Sequence, residues 1–155
     1  MTQNQFNIRV YGILIEDGCL LVTDEIRFGI RMTKLPGGGL QFGEGLEKCL
    51  QREWIEELNT EIRVGDIFYV NPFLQLSAFR NTDEVIAMYF WVKPVSPLNI
   101  PIAVAPMAFE SDEDEQQIFR WIPLRDLREA DFTFPIDQSL VSRLKKFAAR
   151  GTAPA

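Results

Sequence analysis

The first third of the chain predicts strands joined by tight turns. Residues 6–16 are rich in β-branched and aromatic side chains, which are typical of β-strands. Asp17-Gly18 follows as a hairpin-turn dipeptide, and residues 19–23 return as a second strand. Residues 30–35 favour another strand that leads into three consecutive glycines. Because glycine lets the backbone bend and approach a ligand closely, residues 35–40 are predicted to be neither helix nor ordinary strand.

Residues 43–58 are predicted to form an amphipathic helix. The segment contains no proline and, after Gly45, no glycine. Its apolar side chains recur every four residues, at Leu46, Leu50, Trp54 and Leu58. At about 100° per residue, three carboxylates lie beside this stripe and within about 100° of one another, at Glu53, Glu56 and Glu57. Asn59 comes just after the helix, where a left-handed C-cap is expected because asparagine tolerates positive φ.

The rest of the chain predicts more strands and a final helix. Strands are expected over residues 61–70, 73–79, 84–93 and 117–122, and helices over 123–127 and 135–149. Strands before and after one acidic helix, with a helix at the end, indicate an α/β fold in which a mixed sheet lies between helices. The sequence shows no linker and no repeat, so residues 1–155 are predicted to form one domain. Residues 1–5 and 150–155 are predicted to be flexible tails.

Composition narrows the class of function. The formal net charge is −6 and the pI is about 4.7, which argues against a surface that binds nucleic acid. No apolar run is long enough to cross a membrane, and the polar first residues do not resemble a signal peptide. The two cysteines are too few for a disulfide scaffold and favour a reducing cytoplasm. The sequence leaves open whether the chain works alone or as a homodimer.

The chain has no histidine, which excludes several kinds of active site. Serine or cysteine nucleophiles activated by histidine are excluded, and so are zinc sites with histidine ligands. A general base must then be a carboxylate, a lysine, a tyrosine or a metal-bound hydroxide, and of these only carboxylates are clustered. ATP-driven phosphotransfer is disfavoured because the glycines are not followed by the lysine of a P-loop.

The three helix carboxylates have two interpretations. Such a pattern is common on a solvated helix face, where Lys48 and Arg52 would form salt bridges with it. Three like charges on one helix turn also repel each other, and a divalent cation among them would remove that repulsion. Oxygen ligands without nitrogen or sulfur suit Mg²⁺ or Mn²⁺ rather than Zn²⁺. The metal site is favoured, because the glycine turn, Glu44 and Arg52 precede these carboxylates at a specific spacing.

This register resembles the signature of a known family. From Gly38 the chain reads Gly-x5-Glu-x7-Arg-Glu-Trp-x-Glu-Glu-x-Asn-Thr, which resembles the Nudix box. Three positions depart from it, because an aliphatic residue usually stands at Trp54, a glycine at Asn59 and an aliphatic residue at Thr60. The segment from Trp121 to Leu127 also looks like the closing strand and helix of that family. The resemblance implies an α/β/α sandwich and a hydrolase that cleaves a nucleoside diphosphate linked to another group.

The resemblance also implies roles for individual residues. Metal ligands are expected among the helix carboxylates and the Gly38 carbonyl, with Mg²⁺ as the cofactor and Mn²⁺ as its alternative. The substrate-binding residues are expected to be Gly37, Gly38, Gly39 and Glu44. Arg52 is expected to orient the carboxylates and Glu44 to brace the loop against the helix. Glu53 is one candidate for the general base.

A second acidic cluster offers another candidate base. Five of the six residues in 110–115 are acidic, a pattern typical of a solvated loop. Nudix enzymes often carry one more acidic ligand or base on a loop before the closing strand. Glu115, six residues before Trp121, is expected to fill that role, as catalytic base or further metal ligand.

Two other classes of function stay open at this stage. A Nudix-like module that senses a nucleotide without cleaving it would share the fold, and an interaction protein with an acidic face would share the charge. Nucleotide regulators of this kind usually carry a DNA-binding domain, for which this length leaves no room. The sequence favours a small-molecule nucleotide substrate and does not identify the group attached to it.

Overall fold

The computed structural model describes residues 3–151, which form two compact units. Among these residues, the first unit comprises the chain up to Ile13 together with Pro36–Leu98. The second unit comprises Leu14–Leu35 together with the residues from Asn99 onward. In chain order the elements are β1 (Gln5–Ile13), β2 (Ile15–Glu16), β3 (Cys19–Arg27), β4 (Ile30–Lys34), β5 (Gly37–Gly39), α1 (Leu46–Leu58), β6 (Ile62–Val70), β7 (Asp83–Pro94), β8 (Ile102–Ala103), β9 (Gln116–Pro123) and α2 (Pro135–Ala149).

The first unit is a four-stranded mixed sheet with the helix α1. The strand order is β5-β1-β7-β6, with β1 parallel to β7 and the other pairs antiparallel. The central strand β7 is buried over most of its length, as its continuous apolar run predicts. Helix α1 packs against this sheet, and the indole of Trp54 lies over Gly12 of β1. A Cβ atom on Gly12 would be only 2.8 Å from the indole Nε1. Gly12 therefore leaves space on β1 for the indole of Trp54.

Helix α1 follows the predicted stripe. Leu50, Trp54 and Leu58 are buried together with Cys49, while Leu46 at the start of the helix is half-buried. The helix begins later than the predicted residue 43, because Gly43 has φ +89° and Gly45 is extended. It ends at Asn59, whose φ of 48° and ψ of 40° confirm the predicted left-handed cap. The backbone N–H groups of residues 59 and 60 donate to carbonyls of the last helical turn.

The second unit holds the other mixed sheet. Its strand order is β2-β3-β9-β8, and β4 also pairs with β3. Buried polar side chains stabilise this sheet: Asp24 is fully buried and accepts hydrogen bonds from Arg120 Nε (2.7 Å) and from the Thr33 hydroxyl (2.6 Å). Helix α2 has the predicted bounds, and it buries Leu140 on its apolar face. Two 3₁₀ turns precede this helix, at Leu124–Asp126 and Glu129–Asp131.

Two sequence predictions need correction. The glycine run was predicted to lie outside strands, yet β5 pairs antiparallel with β1, because a strand without side chains can still complete backbone hydrogen bonds. Residues 73–79 were predicted to form a strand, but that segment has only an isolated bridge between Leu76 and Glu84. Its apolar side chains are largely exposed, including Leu74 at 68%, so the apolar pattern there does not mark a buried face.

Three further predictions concern membrane spans, domain organisation and the chain ends. No helix among residues 3–151 is long and apolar enough to span a bilayer. The single-domain organisation stays a prediction. So do the tails: residues 1–2 and 152–155 lie outside the described residues, and β1 begins at Gln5.

Candidate active site

Gly38 and Glu53 lie against each other at the edge of the first-unit sheet. Gly38 of β5 pairs with Val10 of β1. Helix α1 packs on the face of the sheet toward which a Cβ on Gly38 would point. A Cβ atom on Gly38 would lie 2.5 Å from Glu53 Oε1 and 2.6 Å from its Oε2, well inside van der Waals contact. Only glycine leaves the Glu53 carboxylate in this place.

Gly37 is constrained by the paired strand β1 rather than by the helix. Its φ is +154°, and a Cβ there would collide with the Val10 carbonyl oxygen and lie 2.8 Å from Tyr11 Cα. Two successive positions of the glycine run therefore exclude any side chain, for different reasons. The close approach of this backbone to a ligand stays a prediction.

Arg52 joins the loop after β5 to the carboxylates of α1. Its Nε and Nη2 donate to the two oxygens of Glu44, at 2.9 and 2.7 Å. Nη1 donates to Glu53 Oε1 at 2.9 Å and to Glu56 Oε2 at 3.3 Å, and Nη2 also donates to the Gly39 carbonyl at 3.1 Å. One guanidinium thus fixes the loop, the glycine strand and two carboxylates relative to one another.

The charges of this network reinforce each other. Hydrogen bonds from Arg52 hold the pKa of Glu44 at about 2, and the N–H of Gln41 lowers it further in the same direction. The Glu44 hydrogen bond raises the pKa of Arg52, so both groups stay charged throughout the physiological range. Arg52 also offsets part of the repulsion that the neighbouring helix carboxylates would otherwise exert on one another.

Cys49 fills the space behind this network. Its thiol is buried and donates to the Gly39 carbonyl at a sulfur–oxygen distance of 3.5 Å. Burial raises the pKa of Cys49 to about 12, and the nearby charge of Glu44 raises it in the same direction. The side chain therefore acts as a small neutral filler beneath the loop.

The three helix carboxylates differ in environment. The Glu53 side chain is 13% exposed and that of Glu56 is 56% exposed, while Glu57 is half-buried. Among residues 3–151, no group of three acidic or cysteine side chains already converges as a metal-ligand set. The Glu53 carboxylate lies against the backbone of Gly38, whereas Glu56 extends toward solvent and is held by Arg52.

The second acidic cluster belongs to the other unit, where part of it is tied to the β3–β4 hairpin. Asp114 accepts a hydrogen bond from the Gly29 N–H at 2.7 Å, and Asp112 pairs with Arg31. Glu115 is exposed, has φ 62°, and its N–H donates to the Ile26 carbonyl at 2.8 Å. This backbone bond fixes the position from which the Glu115 side chain extends. The catalytic role of Glu115 stays a prediction.

Arg9 is a cationic residue near the glycines that the sequence did not single out. Its Nε donates to the Tyr11 hydroxyl at 2.6 Å, and a Cβ on Gly39 would lie 3.6 Å from its Nη1. Tyr11 in turn stacks on the buried Tyr89, with ring centroids 5.4 Å apart. The sequence did contain a signal for Arg9. Residues of β1 alternate between the two faces of the sheet, so Arg9 and Tyr11 lie on one face and Ile8 and Val10 on the other.

Comparison with known proteins agrees with this geometry. The NUDIX domain model matches residues 5–144, and no curated protein matches the sequence. A NUDIX hydrolase from Nitrosomonas europaea has a TM-score of 0.69 at 18% identity, over 98% of this chain and 76% of that one. The MutT protein from Methanosarcina mazei Go1 has a TM-score of 0.66 at 19% identity, over 99% and 100%. The E. coli ORF135 protein has a TM-score of 0.66 at 17% identity, over 97% and 96%.

These matches support the family and the fold in different ways. At such low identity the solved structures establish the fold, and they confirm the predicted α/β class. The family model covers most of the sequence, including the glycine strand, the acidic helix and the closing strand. The chain therefore belongs to the Nudix hydrolase family, as the spacing from Gly38 to Thr60 predicts.

Proposed function

We propose that this protein is a Mg²⁺-dependent pyrophosphohydrolase. Its substrate is a nucleoside diphosphate linked to another group, such as a nucleoside triphosphate or a nucleotide sugar. The observation that carries the proposal is the Arg52 network, which holds Glu53 over Gly38 and Glu44 in the adjoining loop. A solvated helix face would not need a glycine opposite the Glu53 carboxylate. It would also not need the two hydrogen bonds from Arg52 to Glu44 in the loop.

The donor atoms fit a hard divalent cation. Carboxylate oxygens on Glu53, Glu56 and Glu57 and the Gly38 carbonyl would hold it, and Mg²⁺ and Mn²⁺ both prefer such ligands. The place where a Cβ on Gly38 would lie is taken by the Glu53 carboxylate, so this carboxylate lies against the residue that would supply the carbonyl. When bound, the cation supplies charge neutralisation at the diphosphate and lowers the pKa of a water.

The chain's own residues would divide the remaining work. Water attacks one phosphorus, a new P–O bond forms as the bridging P–O bond breaks, and the departing phosphate oxygen takes the electron pair. Glu53 or Glu115 would accept the proton from that water, which typically contributes about 10²–10⁴-fold in rate. Arg52 would keep Glu53 and Glu56 oriented, because its Nη1 donates a hydrogen bond to each of them.

The charge of the chain bears on how an anionic substrate would bind. The chain carries a net charge of −6, so an anionic substrate requires a cation to approach the helix carboxylates. The backbone of Gly37, Gly38 and Gly39 would contact the diphosphate, and Glu44 would keep this backbone in place through Arg52. The two cysteines are both free, which is consistent with a site of action in the cytoplasm.

A substrate panel with one substituted helix residue tests the proposal. In the presence of Mg²⁺ or Mn²⁺, wild-type protein should release phosphate or pyrophosphate from a nucleoside triphosphate, or split a nucleotide sugar, ADP-ribose or a dinucleotide into two phosphate esters. Glu57→Gln should remove most of this turnover, whereas the matched change Glu47→Gln on the exposed first turn of α1 should not. Binding of a nucleotide without release of any product would assign the protein to the sensors, and wild-type turnover by Glu57→Gln would overturn the metal site.

A further inference from the structure

Arg9 lies beside the glycine strand, on the face of the sheet opposite to Glu53. Arg9 of β1 pairs with Gly39 of β5, and the glycine before it is Gly38. Successive residues of a strand point to opposite faces, and a Cβ on Gly38 would point at the Glu53 carboxylate. A Cβ on Gly39 would therefore point the other way, where it would lie 3.6 Å from Arg9 Nη1. The glycine strand thus separates a carboxylate on one face from a guanidinium on the other.

The Tyr11 hydroxyl fixes the direction of this guanidinium. Tyr11 lies on the same face of β1, and its hydroxyl accepts a hydrogen bond from Arg9 Nε at 2.6 Å. The Tyr11 ring is buried and pairs in register with Tyr89 of β7, which pairs in turn with Tyr69 of β6. A row of three tyrosines across the sheet therefore supports the residue that holds Arg9. Because the hydroxyl is a neutral acceptor, this bond orients the guanidinium without neutralising its charge.

Arg52 also lies at the glycine strand, but its hydrogen bonds go to carboxylates. Its Nε and Nη2 donate to Glu44, and its Nη1 donates to Glu53 and Glu56. These carboxylates surround its charge and would repel a phosphate that came close to them without a metal ion. A diphosphate at the glycine strand is therefore better contacted by a cation on the other face, where Arg9 lies.

Gly39 leaves Arg9 accessible from the edge of the sheet. In the described part of the chain β5 is an edge strand, so residue 39 is the outer neighbour of Arg9. A side chain at that position would stand between the guanidinium and the edge, since side chains of paired residues lie next to each other. Both residues are partly exposed. An anion at this edge can therefore approach the Arg9 guanidinium.

A guanidinium held in this way suits one kind of ligand. Its planar fork of N–H groups matches two oxygens of a phosphate group. We propose that Arg9 binds a phosphate of the substrate on the face of β5 opposite to Glu53, with Tyr11 as its positioning residue. The inference rests on the proposed function for the presence of a diphosphate at the glycine strand. Arg9 then contributes to the affinity for the phosphates independently of the helix carboxylates.

Binding of methylenediphosphonate tests this without hydrolysis. The compound has a carbon atom in place of the bridging oxygen of pyrophosphate, so it keeps both phosphoryl groups but contains no anhydride to cleave. In calorimetric titrations with Mg²⁺ present, Arg9→Gln should weaken binding about 10- to 150-fold, as expected for a lost hydrogen bond between charged groups. Arg9→Lys should restore part of the affinity, because lysine keeps the charge but lacks the fork. Arg63→Gln is the matched control, since Arg63 is an exposed arginine on β6 of the same sheet.

Tyr11→Phe tests the positioning role. In the wild-type background it should weaken binding about 2- to 10-fold, the range for one neutral hydrogen bond. In the Arg9→Gln background it should have no further effect, because the side chain that it orients is already gone. An equal loss in both backgrounds would overturn the positioning role of Tyr11.

The remaining outcomes separate this inference from the proposed function. A wild type that does not bind methylenediphosphonate would overturn the phosphate contact, and so would equal affinity in the wild type and Arg9→Gln. Equal losses in Arg9→Gln and Arg63→Gln would overturn it as well, because net charge would then account for both. If the wild type binds the diphosphonate through Arg9 but hydrolyses nothing in the substrate panel, the proposed function alone is overturned.

Discussion

The carboxylate of Glu53 occupies the space that a side chain on Gly38 would need. The two residues come from α1 and from the edge strand β5, so this contact joins the proposed metal ligand to the glycine strand. A Cβ on Gly38 would lie 2.5 Å from Glu53 Oε1. Because that oxygen is at the end of a flexible side chain, a methyl group would displace the carboxylate rather than unfold the protein.

Gly38→Ala should therefore reduce activity while leaving stability nearly unchanged. A misplacement of about 1 Å at a reacting centre can cost about 10²-fold in rate. The matched control is Gly65→Ala, because a Cβ on Gly65 would meet only ordinary contacts of 3.4 Å with Trp91. Turnover of both variants on the best substrate, together with their melting temperatures, checks this. Full activity in Gly38→Ala would show that the position of Glu53 is not critical.

The pair of Glu44 and Arg52 predicts a loss of stability in acid. The pKa of Glu44 is lowered from 4.5 to about 2, chiefly by hydrogen bonds from Arg52. A carboxyl group whose pKa is lower in the folded chain stabilises the fold above its unfolded pKa and ceases to do so as the pH falls through the folded value. The contribution should be complete above about pH 4.5 and absent near pH 2.

The difference between wild type and Glu44→Gln isolates this contribution. Free energies of unfolding, measured from neutral pH down to pH 2, should differ most at neutral pH and converge as the carboxylate is protonated. A difference that does not vary with pH would mean that the carboxylate charge of Glu44 contributes nothing through Arg52.

Trp54 is expected to act through stability. Its side chain is fully buried, and its Nε1 has no hydrogen-bond partner among the described residues. Trp54→Ala should destabilise the protein by about 3–5 kcal/mol, the usual cost of truncating a buried tryptophan. Trp54→Phe should cost less, because it removes the unsatisfied N–H as well as part of the ring. Ile55→Ala, at a neighbouring position that is 52% exposed, serves as the control in denaturant unfolding.

Asn59 predicts opposite results for two substitutions at one position. Its φ of 48° and ψ of 40° suit glycine as well as asparagine, so Asn59→Gly should be close to neutral. Asn59→Val should destabilise by about 1–2 kcal/mol, because a β-branched residue resists the left-handed conformation. Thermal or denaturant unfolding of the two variants measures this, and equal stability of both would contradict it.

Glu115 is predicted to be the catalytic base or a further metal ligand. Glu115→Gln should then lower kcat by about 10²-fold or more, with little change in KM if it serves only as base. Glu113→Gln is the matched control, being equally exposed on the same loop. Asp112→Asn is a second control, although it also removes the pair with Arg31. Small and equal effects in all three would return the base assignment to Glu53.

The sequence predicted best where local and long-range forces agree. Helix α2 has both predicted ends, because Pro135 suits the first helical position and Leu140, Leu144 and their neighbours recur at helical spacing. Asn59 was predictable because its conformational preference matches its place after the helix. In both cases the residue type alone carries the physical reason for the structure.

Prediction from the sequence failed where contacts with other elements determine the structure. The glycines of β5 have low strand propensity, and only the partner strand β1 makes a strand of them. Residues 73–79 have the apolar content of a strand, but their side chains, such as Leu74, remain exposed. Arg9 was missed for the same reason: its significance depends on which residues of other elements lie beside it. The box residues were found because their spacing within α1 and the preceding loop is local.

The burial of Cys49 gives the protein one addressable thiol. The thiolate is the form of cysteine that attacks reagents such as maleimides, and a thiol with a pKa of about 12 has almost none of it at neutral pH. Cys19 is partly exposed at the turn between β2 and β3, and it is the other free cysteine of the chain. A fluorophore or spin label should therefore attach at Cys19 alone. The unaltered sequence can thus carry a probe for fluorescence or magnetic resonance while the residues around Arg52 keep their native packing.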